Sequence, residues 1–171
     1  KMATPFEAST RFGATATGGG AATFNTSGLT LDSSATGTSA MSVAWNLGRA
    51  GTRTLIFNDS PIFSTHITMN NLTVASGGGS SFFGIGVPAV TGSGHTYTDN
   101  HVGFKIIKSG GVVNVYATQG DGTTENASAS LATVINDDEV EFILKVNGTT
   151  SVDYYWRKNA SALSSATNLT T

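Results

Sequence analysis

Val102-Gly103-Phe104-Lys105-Ile106-Ile107-Lys108-Ser109-Gly110-Gly111-Val112-Val113-Asn114-Val115-Tyr116-Ala117-Thr118 is the stretch that decides the fold. Val102, Phe104 and Ile106 alternate with Gly103, Lys105 and Ile107. After the Ser109-Gly110-Gly111 turn signal, Val113, Val115 and Ala117 alternate with Asn114, Tyr116 and Thr118. Successive side chains of a strand point to opposite faces, so period-two alternation around a glycine turn predicts an antiparallel hairpin. The pattern recurs on both sides. Met41, Val43, Trp45 and Leu47 alternate with Ser42, Ala44 and Asn46; Val140, Phe142, Leu144 and Val146 with Glu141, Ile143 and Lys145; and Val152, Tyr154 and Trp156 with Asp153, Tyr155 and Arg157. Gly77-Gly78-Gly79, Gly120-Asp121-Gly122 and Asn147-Gly148 punctuate these runs. Helical periodicity is nearly absent, and only residues 159–166 read as a short helical piece. No stretch supplies the helices that parallel crossovers need. The expected fold is therefore all-β, an antiparallel two-sheet sandwich or barrel.

The hairpin over residues 139–157 permits a register prediction. A two-residue Asn147-Gly148 loop sets Phe142 opposite Asp153 and Leu144 opposite Ser151, which mixes core with polar groups. A three-residue loop that includes Thr149 sets Leu144 opposite Val152, Phe142 opposite Tyr154 and Val140 opposite Trp156. One face is then uniformly apolar, and a buried face is what specifies register. The expectation is the three-residue loop with a bulge.

Of the 171 residues, 21 are Gly, 19 Ser and 26 Thr, only 12% are charged, and the net charge is −2. Such a chain is too apolar for intrinsic disorder. It has no run of roughly 18 apolar residues, so no membrane helix is expected. It has no basic footprint for nucleic acid. With no Cys it has no disulfide framework and no thiolate metal site. The length suits one domain. The expected division is an N-terminal arm or edge strand at 1–22 and a β-sandwich domain at 23–171. Lys1-Met2-Ala3-Thr4-Pro5 leads into polar sequence and not into an apolar signal region. The strand-like ending Asn168-Leu169-Thr170-Thr171 is what a cut inside a longer chain would leave. Low charge of both signs also means weak self-repulsion, which favours association.

The candidate chemistry is sparse. In Asp137-Asp138-Glu139-Val140-Glu141, alternate carboxylates project to one face, the arrangement by which sandwich-fold glucanases place a nucleophile and an acid. The expected register instead puts Glu139 opposite Arg157 and Glu141 opposite Tyr155, an ordinary solvated cross-strand pairing. No catalytic residue is assigned. Asp99, Asn100 and Asp121 are oxygen ligands that could suit calcium, the one cofactor in view. Turn chemistry explains them equally, since Asp and Asn bond their own backbone, so no metal site is assigned. His66, His95 and His101 lack zinc spacing. There is no G-x-S-x-G elbow. Gly18-Gly19-Gly20 and Gly77-Gly78-Gly79 lack the Lys-Ser/Thr pair of a phosphate loop. Tyr155 is expected to face outward beside Arg157, and Tyr97 to lie in the loop before Asn100, where exposed rings could stack on sugars. Trp156, Tyr154, Trp45 and Phe104 are expected to face inward. The ligand-binding candidates are thus Tyr97, Asp99, Asn100, Tyr155 and Arg157. Seven Asn-x-Ser/Thr sequons are present, in a chain so rich in Thr that they carry no inference of glycosylation.

Asp99-Asn100-His101-Val102-Gly103-Phe104-Lys105-Ile106, the glycine turn, Val113-Asn114-Val115-Tyr116-Ala117-Thr118 and the hairpin from Glu141-Phe142-Ile143-Leu144 to Val152-Asp153-Tyr154-Tyr155 together resemble the central strands of concanavalin A-like lectin/glucanase jelly rolls. The resemblance covers roughly residues 40–157, and its closest form is that of bacteriophage and viral structural proteins. It implies a two-sheet jelly roll on a virion surface, in a capsid decoration protein, head fibre or tail fibre. The implied partners are other virion proteins, further copies of the chain, or cell-surface glycans, with a virion-surface or extracellular location. Glucanase members carry E-x-D-x-E. This chain has Asp137-x-Glu139-x-Glu141, so catalysis is not implied, and the lectin metal-ligand set is not found. A carbohydrate-binding module and a sandwich-fold glycoside hydrolase stand as the alternative functions, because fold does not fix function.

Overall fold

The computed structural model describes residues 12–17, 21–25, 28–32, 40–45, 60–69, 79–86, 90–91, 96–109 and 111–170. Every regular element among them is a β-strand. The chain divides into two compact units, Lys1–Leu55 and Ile56–Thr171. The boundary expected at 22/23 falls inside the first of them. In that unit β1 (Phe12–Thr17) pairs antiparallel with β4 (Ala40–Trp45), and β2 (Ala21–Asn25) with β3 (Gly28–Asp32). The stretch expected to form an arm or edge thus supplies β1. The Gly-rich residues 18–20 and 77–78, His95 and the Trp45 side chain lie outside the described residues.

The second unit holds two antiparallel sheets. One has the order β15-β14-β13-β5, from β5 (Ile62–Thr68), β13 (Glu139–Asn147), β14 (Ser151–Lys158) and β15 (Thr167–Thr170). The other is built on β9 (His101–Ser109) and β10 (Val112–Gly120), the hairpin expected from sequence. β6 (Gly79–Ile85) lies on the far side of β9. Two short strands share the free edge of β10: β11 (Glu125–Ala127) on its last third and β12 (Ala132–Val134) on its first. Between them Ser128 Oγ accepts the Ala117 N–H at 3.0 Å, so the ladder is not left open. Apart from these sheets, β7 (Val90–Thr91) pairs with β8 (Thr96–Tyr97).

Alternation builds the core. Val102, Phe104, Ile106, Val113, Val115 and Ala117 from one sheet and Val140, Phe142, Leu144, Val146, Val152 and Tyr154 from the other are all buried in one cluster. Phe104 stacks on Phe142 with centroids 4.6 Å apart, and Tyr154 meets Phe104 edge-on at 5.3 Å. The Tyr154 hydroxyl donates to the Thr118 carbonyl at 2.9 Å, so its polar tip is satisfied where it is buried. Burial pushes that phenol's pKa up. Trp156 packs against the cluster and stays partly exposed.

The structure departs from three of the expectations. The three-residue loop of the 139–157 hairpin exists, but one residue further on, at 148–150. Phe142 faces Trp156, Leu144 faces Tyr154 and Val146 faces Val152. Both registers keep the apolar residues on one face, so hydrophobic pattern cannot choose between them. The turn chooses. Gly148 takes φ 60° at the first central position, a conformation that glycine accepts without strain. Thr150 N and Oγ1 both donate to the Asn147 carbonyl. Glu141 is consequently opposite Arg157, Tyr155 is opposite Ile143, and Glu139 pairs with Thr68. Residues 159–166 are not helical. Asn159 and Ala160 have φ of 51° and 56°, the wrong hand for an α-helix. Ser164 then bonds back to both backbone groups of Trp156.

Gly84 and Gly103 face each other across β6 and β9, and the Phe82 ring covers them. A Cβ on Gly103 would stand 2.6 Å from Phe82 Cε2 and 2.5 Å from the Phe83 carbonyl oxygen. Gly103→Ala is therefore expected to cost about 1–3 kcal/mol, as overpacking does. Urea denaturation checks this, and an unchanged midpoint would mean that the ring does not lie there.

Candidate functional site

The face of the five-stranded sheet opposite the core carries an enclosed polar cluster. By strand parity His101 and Lys105 of β9 and Thr118 of β10 point away from Phe104 and Ala117, and a solvated face would be expected. All three are buried. The reason is a cover built from Tyr97 of β8, the Phe82 ring of β6 and Glu125 of β11. Lys105 Nζ donates to Glu125 Oε1 at 2.6 Å, with side chains only 7% and 6% exposed. Thr118 Oγ1 donates to the same oxygen at 2.5 Å, and the Tyr97 backbone N–H donates to Oε2 at 3.1 Å. His101 Nδ1 donates to the Asp99 carbonyl at 2.6 Å, and Nε2 lies 2.9 Å from Thr118 Oγ1. The Lys105 ammonium stands 5.7 Å from the Tyr97 ring centroid and 5.9 Å from that of Tyr116.

The electrostatics follow from enclosure. Burial pushes the Glu125 carboxyl up, but the hydrogen bonds from Lys105, Thr118 and the Tyr97 amide outweigh it, and its pKa ends below the ordinary value. Burial lowers His101, more than the Asp99 carbonyl and the Glu125 charge raise it. Thr118 has one hydroxyl hydrogen between two acceptors, Glu125 and a neutral His101 Nε2. An imidazolium would satisfy both, at the cost of burying a cation.

Tyr97 is thus not the exposed platform expected from its loop position. It is 1% exposed and packed edge-on to Phe82 and His101, with its backbone N–H held by Glu125 of β11. Asp99 and Asn100 are exposed on the adjoining turn. Asn100 does approach the 120–122 turn, where a Cβ on Gly122 would lie 3.4 Å from its Oδ1. Asp121, however, uses Oδ1 to accept Thr123 N, Thr123 Oγ1 and Thr124 N, each at 2.8 Å. Those bonds hold its carboxyl below the ordinary range and are turn chemistry. Among the described residues no group of three or more His, Cys, Asp or Glu side chains could hold a metal ion.

The solvent face of the four-stranded sheet brings together the other two predicted residues. Arg157 Nε donates to Glu141 Oε2 across β13 and β14, and Tyr155 is half-buried on the same face. His66 Nε2 of β5 stands 3.9 Å from Glu139 Oε2, both well exposed. With Ala160 these four side chains line a shallow depression of about 120 Å³. Asn159 fixes its rim. Its Oδ1 accepts Glu139 N at 2.8 Å, and its Nδ2 donates to the buried Asp138 carboxylate at 2.7 Å. An exposed Arg–Glu pair of this kind contributes little to stability. Its polar groups remain available to a solute.

The sequence pattern singles out Tyr155 and Arg157 and does not single out Lys105, Thr118 or Glu125. The legible signal was Gly103 and Gly120 at outward strand positions, since a strand glycine marks close approach of another group. A Cβ on Gly120 would come within 2.6 Å of His101 Cε1. Comparison with protein-family models, with curated proteins and with solved structures finds no match to this chain.

Proposed function

We propose that the chain is a non-catalytic structural or adhesion module with a concanavalin A-like jelly roll, carried on the surface of a phage-like virion and able to bind glycans. The observation that carries the binding role is the open polar face of the four-stranded sheet. There His66, Glu139, Glu141 and Arg157 surround a depression of about 120 Å³, beside Tyr155. Carboxylates, a guanidinium and an imidazole match the hydroxyls of a sugar, and a flanking ring can stack on its apolar face. The same depression argues against hydrolysis. Glu141 is engaged by Arg157, and the space is too small to enclose a scissile bond with its flanking residues. Association into a particle is supported by the low charge and by two exposed apolar side chains. Val112 is 43% exposed and Ile135 65% exposed. Both line an apolar groove of about 380 Å³, a surface that a neighbouring molecule in a particle would cover.

The test is a glycan array together with light scattering over a range of concentrations. Wild type is expected to be oligomeric and to retain a defined glycan class, and Arg157→Ala to lose retention at least about tenfold while keeping its melting temperature. A monomer at every concentration that retains no glycan would overturn the proposal.

A further inference from the structure

Two carboxylates and one guanidinium line the depression on the four-stranded sheet, together with the His66 ring. Glu141 is engaged by Arg157. Glu139 is differently placed. Its side chain is 58% exposed, and His66 Nε2 at 3.9 Å is beyond hydrogen-bond reach. Its backbone is nevertheless fixed, because Asn159 Oδ1 accepts its N–H at 2.8 Å. An ionised carboxylate only accepts hydrogen bonds. The depression therefore presents an acceptor on a held strand end to whatever solute enters it.

The charges around it, among the described residues, leave that acceptor negative. Lys158 is paired with the buried Asp138 carboxylate at 3.2 Å. Asp137, exposed on the turn before β13, adds a further carboxylate two residues from Glu139. Lys145 lies four residues along β13 from Glu141 and faces Asp153. That is roughly 14 Å at about 3.4 Å per residue, beyond the screening length of about 8 Å in physiological salt. The guanidinium does not reverse the sign. An anion that reached Arg157 would also meet Glu141, which already engages it, and Glu139 in the same depression.

Given the glycan-binding reading above, on which this rests, we propose that the depression takes a neutral sugar, whose hydroxyls donate to Glu139 and accept from Arg157, and rejects sugars that carry a carboxylate. Every hydroxyl of a neutral sugar is both donor and acceptor, so one ring can satisfy the carboxylate and the guanidinium together. An acidic sugar brings an acceptor-only group to a space that acceptors already face. Like charges about 4 Å apart at a protein surface repel strongly enough to change affinity about tenfold or more.

The test is binding of the full chain to an array that pairs neutral hexosides with the matching uronic acids on one linker. It is read at about pH 8, above the ordinary range of an imidazole. The neutral member of each pair is expected to be retained at least about tenfold better in low salt. Glu139→Gln keeps an acceptor and removes the charge, and should narrow that ratio to about threefold or less. Glu139 is exposed, so this variant is expected to fold; if it does not, the wild-type ratio decides alone. Uronic acids retained as well as their neutral partners would overturn the proposal and leave glycan binding standing. So would a Glu139→Gln ratio equal to that of wild type. Retention of no sugar at all would overturn the glycan reading itself, and this proposal with it.

Discussion

Phe142→Ala is expected to lower the unfolding free energy by about 3–5 kcal/mol, the range for truncating a buried aromatic. Phe142 is fully buried at the centre of β13. Its ring stacks on Phe104 of the opposing sheet at 4.6 Å and lies 6.2 Å from Phe83. Truncation removes three contributions at once: the transfer of the ring from water, the inter-sheet aromatic contact of about 0.5–1.5 kcal/mol, and the filled volume. The flanking strands are hydrogen-bonded on both sides of β13, so collapse around the hole is limited. A domain of ordinary stability has only about 5–15 kcal/mol in total, so the variant should sit near its unfolding transition. Ile62→Ala is the control. Ile62 is 68% exposed. Its truncation should change stability by less than about 0.5 kcal/mol, as at other surface positions. Urea titration of both variants decides the point. A Phe142→Ala cost under about 1 kcal/mol, well below the range for a buried ring, would show that the two sheets do not pack through this side chain.

Lys105→Met should cost about as much for a different reason. Removing one member of a buried ion pair strands the other charge and typically costs about 3–5 kcal/mol. Glu125 would keep its bonds from Thr118 and Tyr97 but lose the cation that neutralises it inside the enclosure. Replacing both partners, as in Lys105→Met with Glu125→Leu, should recover most of the loss, because two apolar side chains need no compensation. The pH dependence supplies a second readout. The Glu125 carboxyl is held below its ordinary value, as is that of Asp138, where burial is outweighed by bonds from Ile135 N, Asn159 and Lys158. A depressed carboxyl contributes its full stabilisation above about pH 4.3 and loses it as pH falls through the folded value. Wild type should therefore lose stability progressively below about pH 4, and the double variant less steeply. A Lys105→Met midpoint within error of wild type would exclude the buried pair.

These two predictions differ in how far each was readable beforehand. Phe142 was legible, because it shares the parity of Val140, Leu144 and Val146, while Glu141 and Lys145 mark the other face as the solvent side. Its partner on β14 was not. The expected and the observed register bury the same side chains, and the choice between Tyr154 and Trp156 was left to the backbone of Gly148. The Lys105–Glu125 pair was not legible at all. Lys105 occupies the outward parity of β9, and nothing near it in sequence announces that Tyr97 and Phe82 will cover that face. Asp99 and Asn100 were noticed for their oxygen atoms. What matters structurally is the Asp99 carbonyl, a backbone group that every sequence contains and no motif singles out.

Alternation and turn chemistry by themselves determined that this chain is built of antiparallel strands, which side chains of β9, β10, β13 and β14 enter the core, and where most turns fall. These are local properties, set by the period of two and by residues that accept or refuse a given φ. Only the tertiary structure decided which sheet each strand joins, which of two equivalent registers the 139–157 hairpin adopts, and whether an outward face meets water or another segment. Those outcomes depend on contacts between residues such as Lys105 and Glu125, 20 positions apart. Their energy exists only once the intervening loops have closed.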